Sequence, residues 1–433
     1  QDVPISMSVF TDVDLEALQL SNVAEVARYA PNLEWDQSFI GASNSSSIFI
    51  RGVGQAANFA EHSSDPGVGV YLDGVYIGRG VGSALGVLDV AQVEVLRGPQ
   101  GTIFGKNATG GAVTIVTNRP TADFSGWVDV TTGSDKRRDL RFSVNIPITD
   151  QVWTRFAASS LNRDGYGRSL QDGTEFGDID TDFVRGALRW LPEDNLTIDF
   201  IADWTRTRES ASVSSLVFAN ADPMSLTGAF NFFVAPTNMV AGFGNGVPWD
   251  SRFMTPGKFT NFATGEAGSE FDAKGLTTIV DWRIGELTFT SITSYRDMES
   301  LWAADVDLSP LTIIEEIIGL DQDQFSQELN LKGSQGSLDW LLGVYYFDED
   351  ATAFGGPIIV PEVATVQFDP LFGVPNPLFG IPLGTGVSPG NVPLINVHSA
   401  RTLGTLCTSG ASVQRTPIGV CGAKVYERRK KRQ

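Results

Sequence analysis

A chain of 433 residues exceeds the size at which one hydrophobic core keeps growing, so at least two structural units are expected. The 51 acidic against 31 basic residues give a formal net charge of −20, which excludes a nucleic-acid partner because nothing would neutralise the phosphates; the same balance suits an ordinary soluble surface or a cation-attracting lumen. No run of about 18 apolar residues occurs, which excludes a helical membrane span but leaves open a β-barrel, whose strands need only about 9–11 residues each.

No leader peptide opens the chain, so Gln1 reads as a position in a processed or trimmed polypeptide. Val3–Phe10 is predicted as a strand. Asn22, with Glu25 three residues on, is a helix cap, and Pro31 ends the helix. Val23, Val26, Ala27 and Ala30 then share one stripe that packs on a small sheet. A strand over Ile48–Val53 and a polar stretch from Gln55 to Asp65 follow. Asp73-Gly74 between apolar segments signals a tight hairpin, Ser83–Val90 a helical turn, and Ala112–Thr117 the last strand. Glycines at 98, 101, 105, 110 and 111 allow close backbone approach in a compact plate. Residues 1–120 thus form one α+β unit, and 121–433 a second region.

From Phe124 the texture changes to strands that alternate apolar with polar. Nine are expected: Phe124–Gly133, Asp139–Ile148, Val152–Arg163, Thr181–Trp190, Leu196–Arg206, Ala273–Ile284, Leu287–Arg296, Phe325–Leu331 and Leu338–Tyr346. Connections after the even-numbered strands are tight, and those after the odd-numbered ones are mostly long, the two-rim pattern of a transmembrane β-barrel. Leu140, Phe142, Val144 and Ile146 oppose Arg141, Ser143 and Asn145; Leu196, Ile198, Phe200, Ala202 and Trp204 oppose a set holding Asp199 and Asp203. Charges on the second face would be costly against lipid, so they must meet a wet lumen. Trp204, Tyr295 and Tyr346 suit an aromatic girdle. A water-soluble β-sandwich would show the same alternation, with its apolar set buried.

The pieces IRGV at 50–53, PGVGVYLDGVYIGR at 66–79, VEVLRGPQGTIFGKNATGGAVTIVT at 93–117 and FSQEL at 325–329 resemble, in order and spacing, the TonB-dependent outer-membrane receptors. The resemblance implies an α+β plug domain followed by an antiparallel transmembrane β-barrel, incomplete here, in the Gram-negative outer membrane and its lipid. The family's barrels carry about 22 strands. Nine strands and a basic tail, Tyr426–Gln433, without strand alternation suggest a fragment or a frame-shifted end, whose open edges would favour aggregation. The tail could otherwise bind a membrane surface.

The family's lock implies that Arg51 and Arg97 meet barrel-wall glutamates; Glu328, on one face with Ser326, Asn330 and Lys332, holds the matching place. Bonds to plug carbonyls are the alternative for both arginines. The apical stretch 55–64, with Asn58, Phe59, Glu61 and His62, is the expected ligand contact, with Arg79 to Ser83 next. His62 has no second His or Cys nearby, so no metal site is assigned. Lys106–Gly111 lacks the order of a phosphate loop. No catalytic constellation and no cofactor motif appears. Cys407 and Cys421 would close a disulfide in an oxidising compartment or stay as thiols.

The implied function is active import of a bulky ligand, a ferric siderophore first, then cobalamin or a glycan, driven through TonB with ExbB and ExbD. The TonB box would precede Gln1. A passive, porin-like or structural barrel, or a non-functional fragment, is the competing reading.

Overall fold

The computed structural model describes residues 6–20, 22–37, 46–55, 65–80, 88–105, 107–220, 222, 225–235, 246–264, 267–311, 313–335, 338–359 and 425–432. The N-terminal unit comprises β1 (Ser6–Thr11), α1 (Asp12–Ala17), β2 (Leu33–Gln37), β3 (Ser46–Ile50), β4 (Val53–Gln55), β5 (Val68–Leu72), β6 (Val75–Ile77), β7 (Val90–Arg97), α2 (Gly101–Phe104) and β8 (Gly111–Thr117). One sheet has the order β1-β7-β8-β5-β6, the other β2-β3-β4. Their shared core includes Val23, Val26, Ile50, Val93, Val95 and Ile115.

Thr11 caps α1 reciprocally: the Asp14 amide donates to its hydroxyl at 3.3 Å and its own amide donates to Asp14 Oδ2 at 2.9 Å. Asn22 accepts from the Ala24 amide at 2.8 Å, as a cap does. The segment it starts, Val23–Arg28, is a 3₁₀ helix, too short before Pro31 to settle as an α-helix. The strand expected over Ile48–Val53 breaks into β3 and β4, because Arg51 and Gly52 turn at φ 55° and 76°. Asp73 and Gly74, at φ 52° and 87°, make the matching hairpin between β5 and β6.

The second region is an antiparallel wall of β9 (Ser125–Thr132), β10 (Arg138–Thr149), β11 (Val152–Arg163), β14 (Ile179–Glu193), β15 (Leu196–Ser210), β17 (Gly268–Ile284), β18 (Leu287–Asp305), β19 (Ile314–Gln335), β20 (Leu338–Ile359) and β21 (Val425–Arg432). Short strands β12 (Gly167–Ser169), β13 (Glu175–Phe176) and β16 (Thr260–Asn261) form a separate sheet from the long connections. Two-residue turns, 150–151, 194–195 and 285–286, mark one rim. The basic tail is not a strandless end: β21 pairs with β20 from Tyr346↔Arg432 to Ala353↔Val425. That register sets Asp348 opposite Lys430 and Asp350 opposite Arg428.

Burial along the wall runs opposite to that of a soluble sheet. On the outward face Leu276 is 62% exposed, Leu342 65% and Val344 60%, while the inward Asn145, Thr207 and Ser294 are almost fully covered. Apolar groups facing out and polar groups facing in are what a lipid-embedded wall around a polar interior requires, and they exclude the sandwich. Two aromatic rows bound the outward apolar band: Trp190, Trp282 and Trp340 near the short turns, and Trp204, Tyr295 and Tyr346 farther along. Asn145 fixes the link between the two units, donating to the carbonyls of Thr121 and Asp123 at 2.9 and 2.6 Å.

Candidate functional site

The N-terminal unit meets the inward faces of β10, β11, β14, β18, β19 and β20 through polar groups and through one apolar cluster, in which Tyr71, Tyr76, Leu96 and Ala112 share a core with Phe347 of the wall. β6 is the edge strand of its sheet, so its outer backbone groups need partners from elsewhere. The Gln324 carboxamide supplies two: Nε2 donates to the Tyr76 carbonyl at 2.7 Å, and Oε1 accepts from the Gly78 amide at 3.1 Å. A Cβ at Gly78 would lie 2.8 Å from Glu349 Oε1 and 2.9 Å from Gln322 Nε2, so only glycine lets the wall approach this closely.

Arg79 follows at once and completes the clasp. Its Nε and Nη2 donate to Glu349 Oε1 and Oε2 at 2.8 and 3.0 Å, a bidentate pair buried on both sides. Gln322 Nε2 also donates to Glu349 Oε1, at 2.6 Å. Tyr76 packs edge-on against Phe347 of the wall, ring centroids 5.8 Å apart.

A second cluster has the opposite polarity, with carboxylates on the N-terminal unit and guanidinium groups on the wall. Asp89 accepts from Arg155 Nε at 2.9 and 2.8 Å, and Arg185 lies 3.6 Å from both Asp89 and Asp73. Arg185 also donates to Thr117 Oγ1 and to the Asn118 carbonyl. Asp73 is held in turn by the Thr117 amide and hydroxyl at 2.9 and 2.7 Å, and by Arg119 at 3.2 Å. Breaking one partner of such a buried pair leaves an uncompensated charge and costs about 3–5 kcal/mol. Both clusters therefore fix the unit firmly while remaining exchangeable for other polar partners.

The expected site residues fare unequally. Arg97 does not meet Glu328: its guanidinium donates to Ser6 Oγ at 2.7 Å and to Ser8 Oγ, clipping β1 onto β7. Arg51 sits in an exposed turn beside Gly98, and among the described residues no ion pair joins it to Glu328. Glu328 accepts from Asn330 Nδ2 at 2.6 Å. Arg79, expected as a ligand contact, is covered and paired with Glu349 of the wall. Asn58, Phe59, Glu61, His62 and Ser83, like Lys106, Cys407 and Cys421, lie outside the described residues. Among the described residues no group of three or more His, Cys, Asp or Glu is arranged to hold a metal ion.

Gln322, Gln324, Glu349 and Arg185 were not singled out from sequence. The strands holding the first three were expected to span only Phe325–Leu331 and Leu338–Tyr346, with a long connection from Asp348 onward. The missed signal is period two continuing through them: the inward Gln322, Gln324 and Glu349 are buried while Asp321, Asp323 and Asp350 are exposed.

Beyond the outer rim the long connections fold into a cap with its own core, including Phe230, Trp249, Phe253, Leu311 and Ile313. Two buried aspartates organise it. Asp305 accepts from the amides of Thr264 and Leu308 at 2.9 and 3.0 Å; Asp307 accepts from those of Ile313 and Ile314 at 3.1 and 3.0 Å. Burial pushes the Asp305 carboxyl well above the usual carboxylate range, with the neighbouring Asp307 adding to it. Burial raises Asp307 as well, opposed by its hydrogen bonds.

Residues 1–112 match the family model described as the TonB-dependent Receptor Plug Domain. The pesticin receptor of Yersinia pestis is 33% identical over 147 residues, 34% of this chain and 21% of that protein. The ferrioxamine B receptor of Salmonella typhimurium is 27% identical over 224 residues, 50% and 29% of the two chains. The vitamin B12 transporter BtuB of Vibrio vulnificus is 26% identical over 239 residues, 52% and 37%. Among solved structures, the ferric yersiniabactin uptake receptor from Yersinia pestis superposes with a TM-score of 0.64 at 19% identity, over 82% of this chain and 50% of that one. The siderophore receptor PiuA from Acinetobacter baumannii gives 0.60 at 15%, over 82% and 46%. The chain thus spans about half the length of these solved structures and less of the curated relatives. With a plug seated on the polar face of a wall whose apolar face is turned outward, the chain has the fold of the TonB-dependent outer-membrane receptors to which it is similar, and its residues 1–112 are their plug domain.

Proposed function

We propose that this chain is the plug and first part of the barrel of an active importer, which moves a scarce, bulky ligand across the outer membrane when TonB, with ExbB and ExbD, pulls on the plug. The observation that carries this reading is the polar character of the plug–wall contact. An apolar seal would resist water, whereas the Arg79–Glu349 and Asp89–Arg155 pairs can be replaced by water and other polar groups as the plug parts from the wall. A passive barrel has no use for a separately folded unit clamped to its inner face. The relatives it matches are receptors and transporters, which supports transport and not catalysis.

A ferric siderophore is the proposed cargo; a cobalamin or a glycan comes after it. Ligand recognition falls to Asn58, Phe59, Glu61 and His62 and to the outer cap. The lock proposed at Arg51, Arg97 and Glu328 is replaced on the described wall by Arg79 with Glu349, while Arg97 secures β1, the end of the plug nearest the pull. Growth of a strain carrying the intact gene on single iron or carbon sources tests the reading. Growth on one ferric chelate should disappear when either this gene or TonB is deleted. Uptake that survives the loss of TonB would favour the passive barrel.

A further inference from the structure

The turn between β9 and β10, at the outer rim, carries Lys136, Arg137 and Arg138 in succession. Asp135 and Lys136 turn at φ 53° and 52°, the Arg137 amide donates to the Ser134 carbonyl at 3.0 Å, and the Asp164 amide donates to that of Asp135 at 2.8 Å, which pins the turn to the end of β11. The first two cations are used: Lys136 Nζ meets Asp164 Oδ2 at 2.5 Å, and Arg137 Nε donates to Asp139 Oδ2 at 2.8 Å on the inward side. Arg138 lies in phase with the outward Leu140 and is exposed, and among the described residues its guanidinium has neither a carboxylate nor a hydrogen-bond acceptor. Lys136 is close enough to repel it.

The surroundings of Arg138 suit one kind of anion. Its register partners, Thr132 on β9 and Asn162 on β11, are exposed, and their side chains are likewise without a partner among the described residues, so a guanidinium, a hydroxyl and a carboxamide stand in one row across neighbouring strands. One step toward the short turns Val130 is 67% and Leu140 45% exposed, and they continue into the apolar outward face of the wall. Asp180, opposite Asn162, bounds the row on the β14 side. Farther along this border Arg206, Arg208 and Lys274 already face Asp182, Asp272 and Asp297. A free cation with neutral donors at the head of an exposed apolar strip matches an amphiphile that carries phosphate at one end and hydrocarbon at the other.

We propose that Arg138, with Thr132 and Asn162, is a docking site for the phosphate group of an outer-leaflet lipid whose hydrocarbon lies along Val130 and Leu140. The guanidinium fork takes two phosphate oxygens, and the hydroxyl and carboxamide donate to the remainder. The site needs only the membrane-embedded wall and stands whether or not the barrel is an active importer.

The test measures the lipid kept by the full-length protein after extraction from nanodiscs of phosphatidylcholine and bis-phosphorylated lipid A, read by native mass spectrometry on the folded, heat-modifiable fraction alone. Arg138→Ala should keep about fivefold less lipid A, the factor that one basic side chain contributes at an anionic surface, and Arg138→Lys, which retains the charge, should keep more than Arg138→Ala. Dephosphorylated lipid A should be kept equally by the parent and Arg138→Ala. Equal retention of the phosphorylated lipid by these two proteins overturns the site. An equal loss in Arg206→Gln also overturns it, in favour of diffuse surface charge, and displacement of the lipid by inorganic phosphate would make this a site for the free ion instead.

Discussion

Arg79 and Glu349 lie 270 residues apart in the chain and form a two-point ion pair in which both side chains are buried. The pair joins plug to wall through two parallel hydrogen bonds. Arg79→Ala or Glu349→Ala alone should cost the plug–wall contact about 3–5 kcal/mol, and the double substitution should cost less than the sum of the two. Permeability of whole cells to a large antibiotic reads this: both single variants should leak more than the parent. Additive effects would show that the pair does not act as a unit.

Two glycines make contrasting predictions. A Cβ at Gly78 would press on the ends of the Glu349 and Gln322 side chains, which can move, so Gly78→Ala should fold and leak. A Cβ at Gly111, where φ is 152°, would run into the backbone carbonyl of Leu96 between β7 and β8. Gly111→Ala should therefore disrupt the plug itself, seen as rapid proteolysis of the plug with the barrel band retained. Equal protease resistance in the two variants would contradict the close approach of those strands.

At the second cluster, Asp89→Ala leaves Arg155 and the buried Arg185 facing each other without the carboxylate that joins them. It should destabilise the plug by about 3–5 kcal/mol, whereas Lys136→Ala, which breaks an exposed pair with Asp164, should leave stability almost unchanged. Urea unfolding of the purified receptor followed by plug proteolysis separates the two.

The outward face predicts a lipid effect. Leu342→Arg places a charge in the middle of the exposed apolar band and should cost roughly 2–4 kcal/mol of insertion into bilayers. Asp350→Arg, on the same face of the same strand but beyond the aromatic row, should be nearly neutral to insertion. Similar losses at both positions would move the membrane boundary away from Tyr346.

The cap should respond to pH. A carboxyl whose folded pKa is raised binds its proton more tightly folded than unfolded, so the stability it contributes is complete below the ordinary carboxylate range and is lost as pH rises through the folded value. For Asp307 that value is about 6 and for Asp305 about 9. Protease cleavage within 306–311 should accelerate as pH rises from about 4 to about 9, and Asp305→Asn should flatten the upper part of the profile. Cleavage that slows with rising pH would mean that the backbone amides, and not burial, decide the charge of this pair.

Much of the molecule is written in short-range pattern. The Asp73-Gly74 and Asn22 signals act over two to four residues, and period-two alternation in β10 and β15 sorts lipid from lumen without knowledge of any other strand. The motifs at 93–117 likewise identify the plug, since glycine at a left-handed or crowded backbone position is a local demand. What tertiary structure alone decided is pairing. The motif arginine Arg97 found serine hydroxyls on β1 instead of Glu328, because a guanidinium bonds whatever acceptor the fold brings within about 3 Å. Arg79 and Glu349, unremarkable in sequence, became a clasp because a hairpin edge with unpaired backbone groups was set against two polar positions of a curved wall.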